Sequence, residues 1–285
     1  MANGRIIKII SNSYTVSVDG ELIVCNARGK FRNKKISPVV GDIVDVDKKE
    51  KIIDNIYPRK NCLERPVVAN IDIALIVTSV KEPNLSLILL DKLLTIVIIN
   101  KIKPIICLTK IDLLNKQELK NIKNTIKYYE KLGIKVVTNK DKRLIKKLLK
   151  DKVAVLVGQT GAGKSTLLNR LDKNLHLETN PISKSLNRGV HTTRHVELFK
   201  VGHTFIVDTP GFSSIDFKNV SVEDLKNSFY EFKNYRCPYN DCNHDNEKRC
   251  LVKDAVLKGD ILKSRYDNYL KFLGEVNENN RKLYK

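Results

Sequence analysis

The sequence has no long apolar run that is free of charged residues. Its most apolar stretch, residues 85–108, is interrupted by Asp91, Lys92, Lys101 and Lys103. A helix that crosses a membrane needs about 20 consecutive, mostly apolar residues. The stretch therefore excludes such a helix, and we expect no membrane partner.

We also expect no export signal, because residues 1–10 carry Arg5 and Lys8 and have no apolar core. Three of the six cysteines are scattered, and the other three lie between residues 237 and 250. This distribution favours reduced thiols and one metal site over a disulfide framework. We therefore expect a cytoplasmic protein.

Acidic residues are scarce relative to basic ones. The 285-residue chain has 52 Lys and Arg against 32 Asp and Glu, a net charge of +20. This balance favours a polyanionic partner, nucleic acid or an acidic membrane, and a lysine-rich proteome is the alternative explanation. A hydrophobic content of 42% excludes disorder over the whole chain, and the length suggests two or three domains.

Residues 1–68 contain short strand patterns separated by turn signals such as Asp19-Gly20 and Gly41-Asp42. They predict a small OB-like β-barrel, a fold that commonly binds oligonucleotides. The predicted strands are Arg5–Ile10, Tyr14–Val18, Leu22–Cys25, Ile43–Val46 and Ile52–Ile56.

A basic loop surrounds Phe31 within this barrel. Two interpretations are equally supported: an RNA-binding patch in which Phe31 stacks on a base, or a solvated loop that Phe31 anchors. The basic residues of the loop are Arg28, Lys30, Arg32, Lys34 and Lys35.

From residue 69 to 216, strand patterns alternate with helical ones. Continuous apolar runs such as Ile71–Val80, Pro104–Leu108 and Val153–Val157 are typical of strands buried on both faces. The alternation predicts an α/β domain with a parallel sheet covered by helices. Residues 217–285 are predicted to be helical around a cysteine-rich loop.

A phosphate-binding loop follows the run Val153–Val157 directly and fits G-x-x-x-x-G-K-[ST]. Glycines let backbone N–H groups converge on phosphate oxygens, and the following helix N-terminus adds its positive end. Lys164 is expected to reach the β- and γ-phosphates, and the Ser165 hydroxyl to ligate Mg²⁺. The loop is Gly158-Gln159-Thr160-Gly161-Ala162-Gly163-Lys164-Ser165-Thr166.

Two switch elements are predicted downstream. Asp208 begins a D-x-x-G motif, where it can hold Mg²⁺ through water and Gly211 can donate its N–H to the γ-phosphate. A first switch needs a threonine that reaches Mg²⁺ and the γ-phosphate. Thr192 or Thr193 can supply it, and the sequence leaves that choice open.

The segment expected to recognise the nucleotide base precedes the phosphate loop in the chain. Thr109-Lys110-Ile111-Asp112 follows a buried strand and is similar to the N-K-x-D pattern, with Thr109 in the place of the usual Asn. The Asp112 carboxylate is expected to accept hydrogen bonds from guanine, which argues against an ATPase. The stem of Lys110 is expected to pack over the guanine ring. The stretch Val137–Lys140 is a weaker candidate for the loop beneath the base. The order of the base-binding and phosphate-binding motifs is therefore circularly permuted relative to the usual order in GTPases. A parallel sheet permits this change, because all of these loops lie at the carboxyl ends of its strands whatever their order in the chain.

A metal site is predicted near the C-terminus. Cys237, Cys242, His244 and Cys250 supply three thiols and one imidazole within a stretch too polar for a core. This donor set suits one tetrahedral, structural Zn²⁺. The alternative is reduced core cysteines beside a surface histidine.

These motifs, taken in their order, resemble the circularly permuted ribosome small-subunit-dependent GTPase A family, also called RsgA. The resemblance covers the whole chain and implies an OB-like barrel (1–68), a permuted GTPase domain (69–216) and a helical zinc-binding domain (217–285). It implies hydrolysis of GTP to GDP, stimulated by the 30S ribosomal subunit, during late maturation of that subunit, with binding to 16S rRNA. We expect a monomer without a DNA partner.

The residue that orients the attacking water is not the usual one. The position after D-x-x-G holds Phe212, which cannot orient water. We predict that His191, beside the switch threonines, does so, although a solvent-facing loop histidine is an equal alternative. A second function stays open: a nucleotide-gated rRNA-binding protein in which hydrolysis is incidental.

Overall fold

The computed structural model describes residues 2–29, 31, 37–64, 67–173, 175, 196–208 and 216–283. It divides into two compact units. The first unit comprises Met1–Leu75, Asp141–Val157 and Lys164–Phe212, and the second comprises Ile76–Lys140, Gly158–Gly163 and Ser213–Lys285. The domain boundaries near residues 68 and 216 stay a prediction.

The described strands are β1 (Ala2–Ile10), β2 (Ser13–Val18), β3 (Glu21–Ala27), β4 (Ile43–Asp47), β5 (Ile52–Ile56), β6 (Cys62–Glu64), β7 (Val67–Ala69), β8 (Ile73–Ser79), β9 (Lys103–Thr109), β10 (Lys135–Thr138), β11 (Val153–Val157), β12 (Glu197–Val201) and β13 (Thr204–Asp208). The described α-helices are α1 (Leu87–Ile99), α2 (Lys116–Lys131), α3 (Lys142–Leu149), α4 (Lys164–Leu171), α5 (Val222–Ser228), α6 (Leu251–Lys258) and α7 (Lys263–Leu283). None of these helices combines the length and the apolar character needed to cross a bilayer.

The first unit contains the predicted barrel. Its strands pair in the order β1-β2-β3-β5-β4, and β4 pairs back to β1, which closes the barrel. β3 and β5 run parallel, and the other neighbours run antiparallel. Alternate residues of each strand point inward, and residues such as Ile6, Val16 and Val44 form the core. The five-stranded barrel confirms the predicted OB-like architecture.

Phe31 belongs to this barrel core and is 6% exposed. A buried ring cannot stack on a base, so the structure supports the anchoring interpretation of Phe31. Arg28 is half-exposed, and its Nε lies 2.7 Å from Asp54 Oδ1. The other basic residues of the loop, Lys30, Arg32, Lys34 and Lys35, lie outside the described residues.

The first unit also contains the strand that leads to the phosphate loop. Here the order is β11-β13-β12-β1, with β11 and β13 parallel and β12 and β13 antiparallel. The expectation of a parallel sheet is therefore wrong for β12. The physical reason is the two-residue connection Gly202-His203, which can join only antiparallel neighbours. β12 pairs with barrel strand β1 at Lys8 and Glu197, whose side chains lie 2.8 Å apart.

In the second unit, the strand order is β10-β9-β8, and β9 and β10 are parallel as predicted. All seven residues of β8 are buried, which explains its uninterrupted apolar sequence. The C-terminal helices share a core with α1, because Ile96 and Ile99 pack against a cluster that includes Phe217, Phe229 and Tyr269.

A buried charged network crosses this same core. Arg265 is 1% exposed, and its Nε donates to Glu231 Oε1 at 2.6 Å. Its Nη1 donates to Asp91 Oδ1 of α1, also at 2.6 Å. Asn268 Nδ2 and the Tyr129 hydroxyl donate to the same Asp91 carboxylate at 2.7 and 2.8 Å. The network therefore ties the C-terminal helix α7 to α1 and α2.

Candidate functional site

The predicted phosphate loop lies between a buried strand and a helix. Residues 158–163 follow the buried strand β11, and α4 begins at Lys164. Gly158 has φ +144°, and a Cβ placed on it would lie 2.0 Å from the carbonyl oxygen of Val77 in β8. Only glycine fits there, because the neighbouring strand backbone occupies the space of a side chain. The loop is therefore pressed against the end of a buried strand.

The segment predicted to recognise the base, residues 109–112, contacts this loop. Thr109, the last residue of β9, is 2% exposed, and its hydroxyl donates to the carbonyl oxygen of Ala162 at 2.7 Å. The side chain of Thr109 also lies 3.8 Å from the position that a Cβ on Gly163 would take. Two segments that are far apart in the chain thus lie in direct contact within the second unit.

The backbone after Thr109 turns so that the side chain of Asp112 is exposed. Lys110 adopts the left-handed conformation with φ 58°, and its Nζ contacts the carbonyl oxygen of Glu82. A single 3₁₀ turn, Ile111–Leu113, then presents the Asp112 carboxylate to solvent. An exposed carboxylate at this point is free to accept hydrogen bonds from a base.

Asn139 adds a polar atom that the sequence indicated only weakly. Its backbone N–H donates to the carbonyl oxygen of Leu108 at 2.9 Å, which holds it beside the strand that ends in Thr109. Its side-chain Oδ1 is buried and has no hydrogen-bond partner among the described residues. An unsatisfied buried acceptor costs about 1–3 kcal/mol, so this atom fits a donor that a ligand would bring.

Lys164 begins helix α4 and is half-buried. Burial lowers the pKa of its ammonium group, because the charged form is poorly solvated there. A phosphate placed at the loop would compensate this desolvation. Ser165 is also half-buried, and Thr166 is exposed.

The switch residues are less fully placed. Asp208 ends strand β13, as predicted for a residue at the carboxyl end of a strand. His191, Thr192, Thr193 and Gly211 lie outside the described residues, and their roles stay predictions.

The four predicted metal ligands come together in the second unit, with their donor atoms within 4.8 Å of one another. His244 Nδ1 lies 3.4 Å from Cys242 Sγ, 3.4 Å from Cys250 Sγ and 3.6 Å from Cys237 Sγ. The sulfurs of Cys237 and Cys250 are 3.8 Å apart. Tetrahedral bonds of about 2.3 Å to sulfur and about 2.0–2.1 Å to nitrogen require edges of about 3.8 Å and about 3.6 Å. The cluster therefore has the dimensions of a tetrahedral metal site.

Burial disfavours the thiolate form of two cysteines in this cluster. It raises the pKa of Cys242 to about 12 and raises that of Cys250, so without a cation both groups stay protonated thiols. The loop is held from outside by hydroxyl groups of α7. Tyr266 and Tyr269 donate to the carbonyl oxygens of His244 and Asn243, each at 2.6 Å. These contacts hold the backbone of the loop that carries His244.

Comparison with known families covers most of the chain. A sequence model described as RsgA GTPase matches residues 56–218, and one described as RsgA N-terminal domain matches residues 3–52.

Curated relatives match over nearly their full length. A protein of Oceanobacillus iheyensis named small ribosomal subunit biogenesis GTPase RsgA 2 is 48% identical, over 97% of this chain and 98% of its own. A protein of Staphylococcus epidermidis named small ribosomal subunit biogenesis GTPase RsgA is 46% identical, over 99% of both chains.

Two solved structures share the fold. YjeQ from Thermotoga maritima superposes with a TM-score of 0.84 at 33% identity, covering 96% of this chain and 98% of its own. YloQ, titled a circularly permuted GTPase, superposes with a TM-score of 0.81 at 35% identity, covering 98% of this chain and 96% of its own.

Proposed function

The chain belongs to the RsgA GTPase family, and from that premise we propose that it hydrolyses GTP during biogenesis of the small ribosomal subunit. Its relatives carry that process in their names. The contact between Thr109 and Ala162 is the observation that supports the proposal best. It joins the proposed base-binding segment to the proposed phosphate loop, which follow each other in circularly permuted order along the chain.

Guanine recognition is proposed to rest on three groups of the second unit. The exposed Asp112 carboxylate accepts from the base, and the stem of Lys110 packs over the ring. The unpartnered Oδ1 of Asn139 supports a ligand donor on the same side. Thr109 and Ile111 hold the segment in place.

Phosphate binding is proposed to rest on the backbone N–H groups of residues 158–163, with Lys164 on the β- and γ-phosphates. Ser165, Asp208 and one of the two switch threonines hold Mg²⁺, which when bound neutralises charge on the phosphate oxygens. Gly211 donates to the γ-phosphate. His191 orients the attacking water.

The partner is proposed to be the 30S subunit, contacted through 16S rRNA, by a cytoplasmic monomer in late maturation. The net charge of +20 and the five-stranded barrel support a polyanionic partner. The cluster of Cys237, Cys242, His244 and Cys250 is proposed to hold one structural Zn²⁺, because its edge lengths fit that ion.

The test is single-turnover GTP hydrolysis with and without purified 30S subunits, with ATP as the competing nucleotide. We expect slow hydrolysis by the protein alone and a rate at least about tenfold higher with subunits, because ordering the switches lowers the barrier. Excess ATP should leave the rate unchanged, since Asp112 selects guanine.

Cosedimentation with 30S subunits, in GDP and in a non-hydrolysable GTP analogue, completes this test. Binding that depends on the nucleotide, together with an unstimulated rate, would favour the nucleotide-gated rRNA-binding protein instead. No binding in either state would remove the ribosomal subunit as the partner.

A further inference from the structure

A cavity of about 510 Å³ lies within the first unit, away from the phosphate loop. Ligand sites typically measure about 300–1,000 Å³. The apolar residues Leu149, Leu171, Val201 and Ile206 contribute to its lining. Lysines from two elements also line it: Lys142, Lys146, Lys147, Lys150 and Lys173. We call this feature the lysine cavity.

Neighbouring like charges make the lysine cavity unfavourable by itself. Lys142, Lys146 and Lys150 recur every four residues along α3 and just beyond it, so they share one face. Like charges at that spacing repel one another on a helix surface. The helix dipole offsets this repulsion for lysines near the C-terminal end of α3, but not for Lys142 at its start.

None of the five lysines has an ion-pair partner among the described residues. Other lysines of the same unit do: Lys8 Nζ lies 2.8 Å from Glu197, and Lys60 pairs with Asp72. Asp172 is the one acidic residue among those that line the cavity, and it has an interaction of its own. Charge of one sign in a concave site with apolar walls focuses the field and raises the local concentration of anions.

We propose that the lysine cavity docks the phosphate backbone of ribosomal RNA. The proposal rests on the proposed function, which supplies the RNA. A concave site fits a ridge of phosphates and ribose better than a flat lipid surface. The cavity is also separate from the nucleotide site: Lys164 and Leu171 stand at opposite ends of α4, about 10 Å apart along its axis.

The experiment measures equilibrium binding of the full-length protein to 30S subunits over a range of salt concentrations. The test variant is Lys146→Gln/Lys147→Gln/Lys150→Gln. The matched control, Lys120→Gln/Lys123→Gln/Lys127→Gln, removes three equally exposed lysines from α2, outside the cavity. Each phosphate contact contributes about 0.7–0.9 to the slope of log K against log salt. We expect the slope of the test variant to fall by about 2 and its affinity at low salt to fall by roughly tenfold or more.

A second variant, Lys173→Gln, tests the other side of the cavity and should lower the slope by about 1. GDP affinity and subunit-free hydrolysis should stay at the wild-type level in all three variants, because none of these lysines lies in the phosphate loop. That result shows that the variants are folded.

Several results would overturn the inference. If the test and control triple variants bound 30S subunits equally weakly, the net charge of the protein alone would explain the binding. A test variant that binds subunits like the wild type would remove the cavity from the interface. A larger loss on phosphatidylglycerol vesicles than on subunits would assign the cavity to a membrane. If the wild type itself bound no subunits, the proposed function would fail together with the inference.

Discussion

Thr109 stands where GTPases usually carry Asn, and the structure gives this residue a specific role. Its buried hydroxyl donates to the carbonyl oxygen of Ala162, 53 positions further along the chain. The sequence indicated only that Thr109 replaces the usual Asn of the N-K-x-D pattern. It could not indicate the gained contact, because nothing local to residue 109 shows which carbonyl lies beside it.

The Thr109→Val variant tests this role. It keeps the shape of the side chain and removes the hydroxyl, so the Ala162 carbonyl loses its donor at a cost of about 1–2 kcal/mol. If the bond positions the phosphate loop, the dissociation constant for GDP should rise by roughly 5- to 30-fold. Titration with a fluorescent GDP analogue measures it.

Thr109→Ser is the matched control, because it keeps the hydroxyl and should bind GDP within about twofold of the wild type. A valine variant with wild-type GDP affinity would show that the bond does not position the loop.

At Gly158 the structure adds a reason for glycine that the sequence did not indicate. Its glycine was predicted from the approach of phosphates, but the nearest obstacle to a side chain is the carbonyl oxygen of Val77, 2.0 Å away. The motif thus identified the right residue type, and the packing of β8 adds a second reason for it.

At the scale of elements, helix α1 departs most from the sequence interpretation. Asp91 was an interruption that excluded a membrane helix, and in the fold it is the buried acceptor for Arg265 of α7. The guanidinium also lies 4.4 Å from the centre of the Phe229 ring. A buried pair with several hydrogen bonds is costly to break, because the remaining partner is left as an unpaired charge.

The Arg265→Ala variant should therefore lose about 3–5 kcal/mol of unfolding free energy. Circular dichroism during urea denaturation measures the loss. The control is Lys263→Ala on the same helix, whose side chain is 79% exposed and pairs with Asp267 at 2.7 Å. That exposed pair contributes about 0.3–0.5 kcal/mol. A loss in Arg265→Ala as small as the loss expected for the control would show that the buried network adds little stability.

At the scale of the whole molecule, the cluster of three cysteines and one histidine is part of a core. Cys242 and Cys250 belong to the cluster of buried residues that also holds Phe232 and Tyr269. The Phe232 ring packs edge-on against the His244 imidazole, with centroids 5.1 Å apart. Loss of a metal would therefore disturb the packing of the C-terminal helices, because its ligands are also core side chains.

Removal of metal by a chelator should raise amide hydrogen exchange in residues 216–283 and leave the barrel strands protected. Mass spectrometry of exchanged peptides measures both regions in one sample. The Cys250→Ser variant should show the raised exchange without chelator. Cys25→Ser, which changes a buried cysteine of the barrel core, should respond to chelator like the wild type.

Equal exchange in residues 216–283 before and after chelation, in a sample shown to have lost its metal, would contradict a structural role for the ion. Raised exchange throughout the chain would mean that the metal stabilises both units.

The sequence by itself determined the features that depend on near neighbours. The proposed phosphate loop is nine consecutive residues, the four proposed metal ligands lie between residues 237 and 250, and the barrel strands each carry their own alternation. Spacing along the chain predicts these features because a turn, a helix or a strand is formed by residues close in sequence.

The tertiary structure alone decided which distant segments meet. The hydroxyl of Thr109 donates to the carbonyl oxygen of Ala162, and Arg265 donates to Asp91, 174 positions away in the chain. Strand β12 runs antiparallel to β13. Lysines of α3 likewise share one cavity with Lys173, which follows α4. No periodicity or motif records such pairings, because burial selects them by the packing of whole elements, and the residue types involved are common elsewhere in the chain.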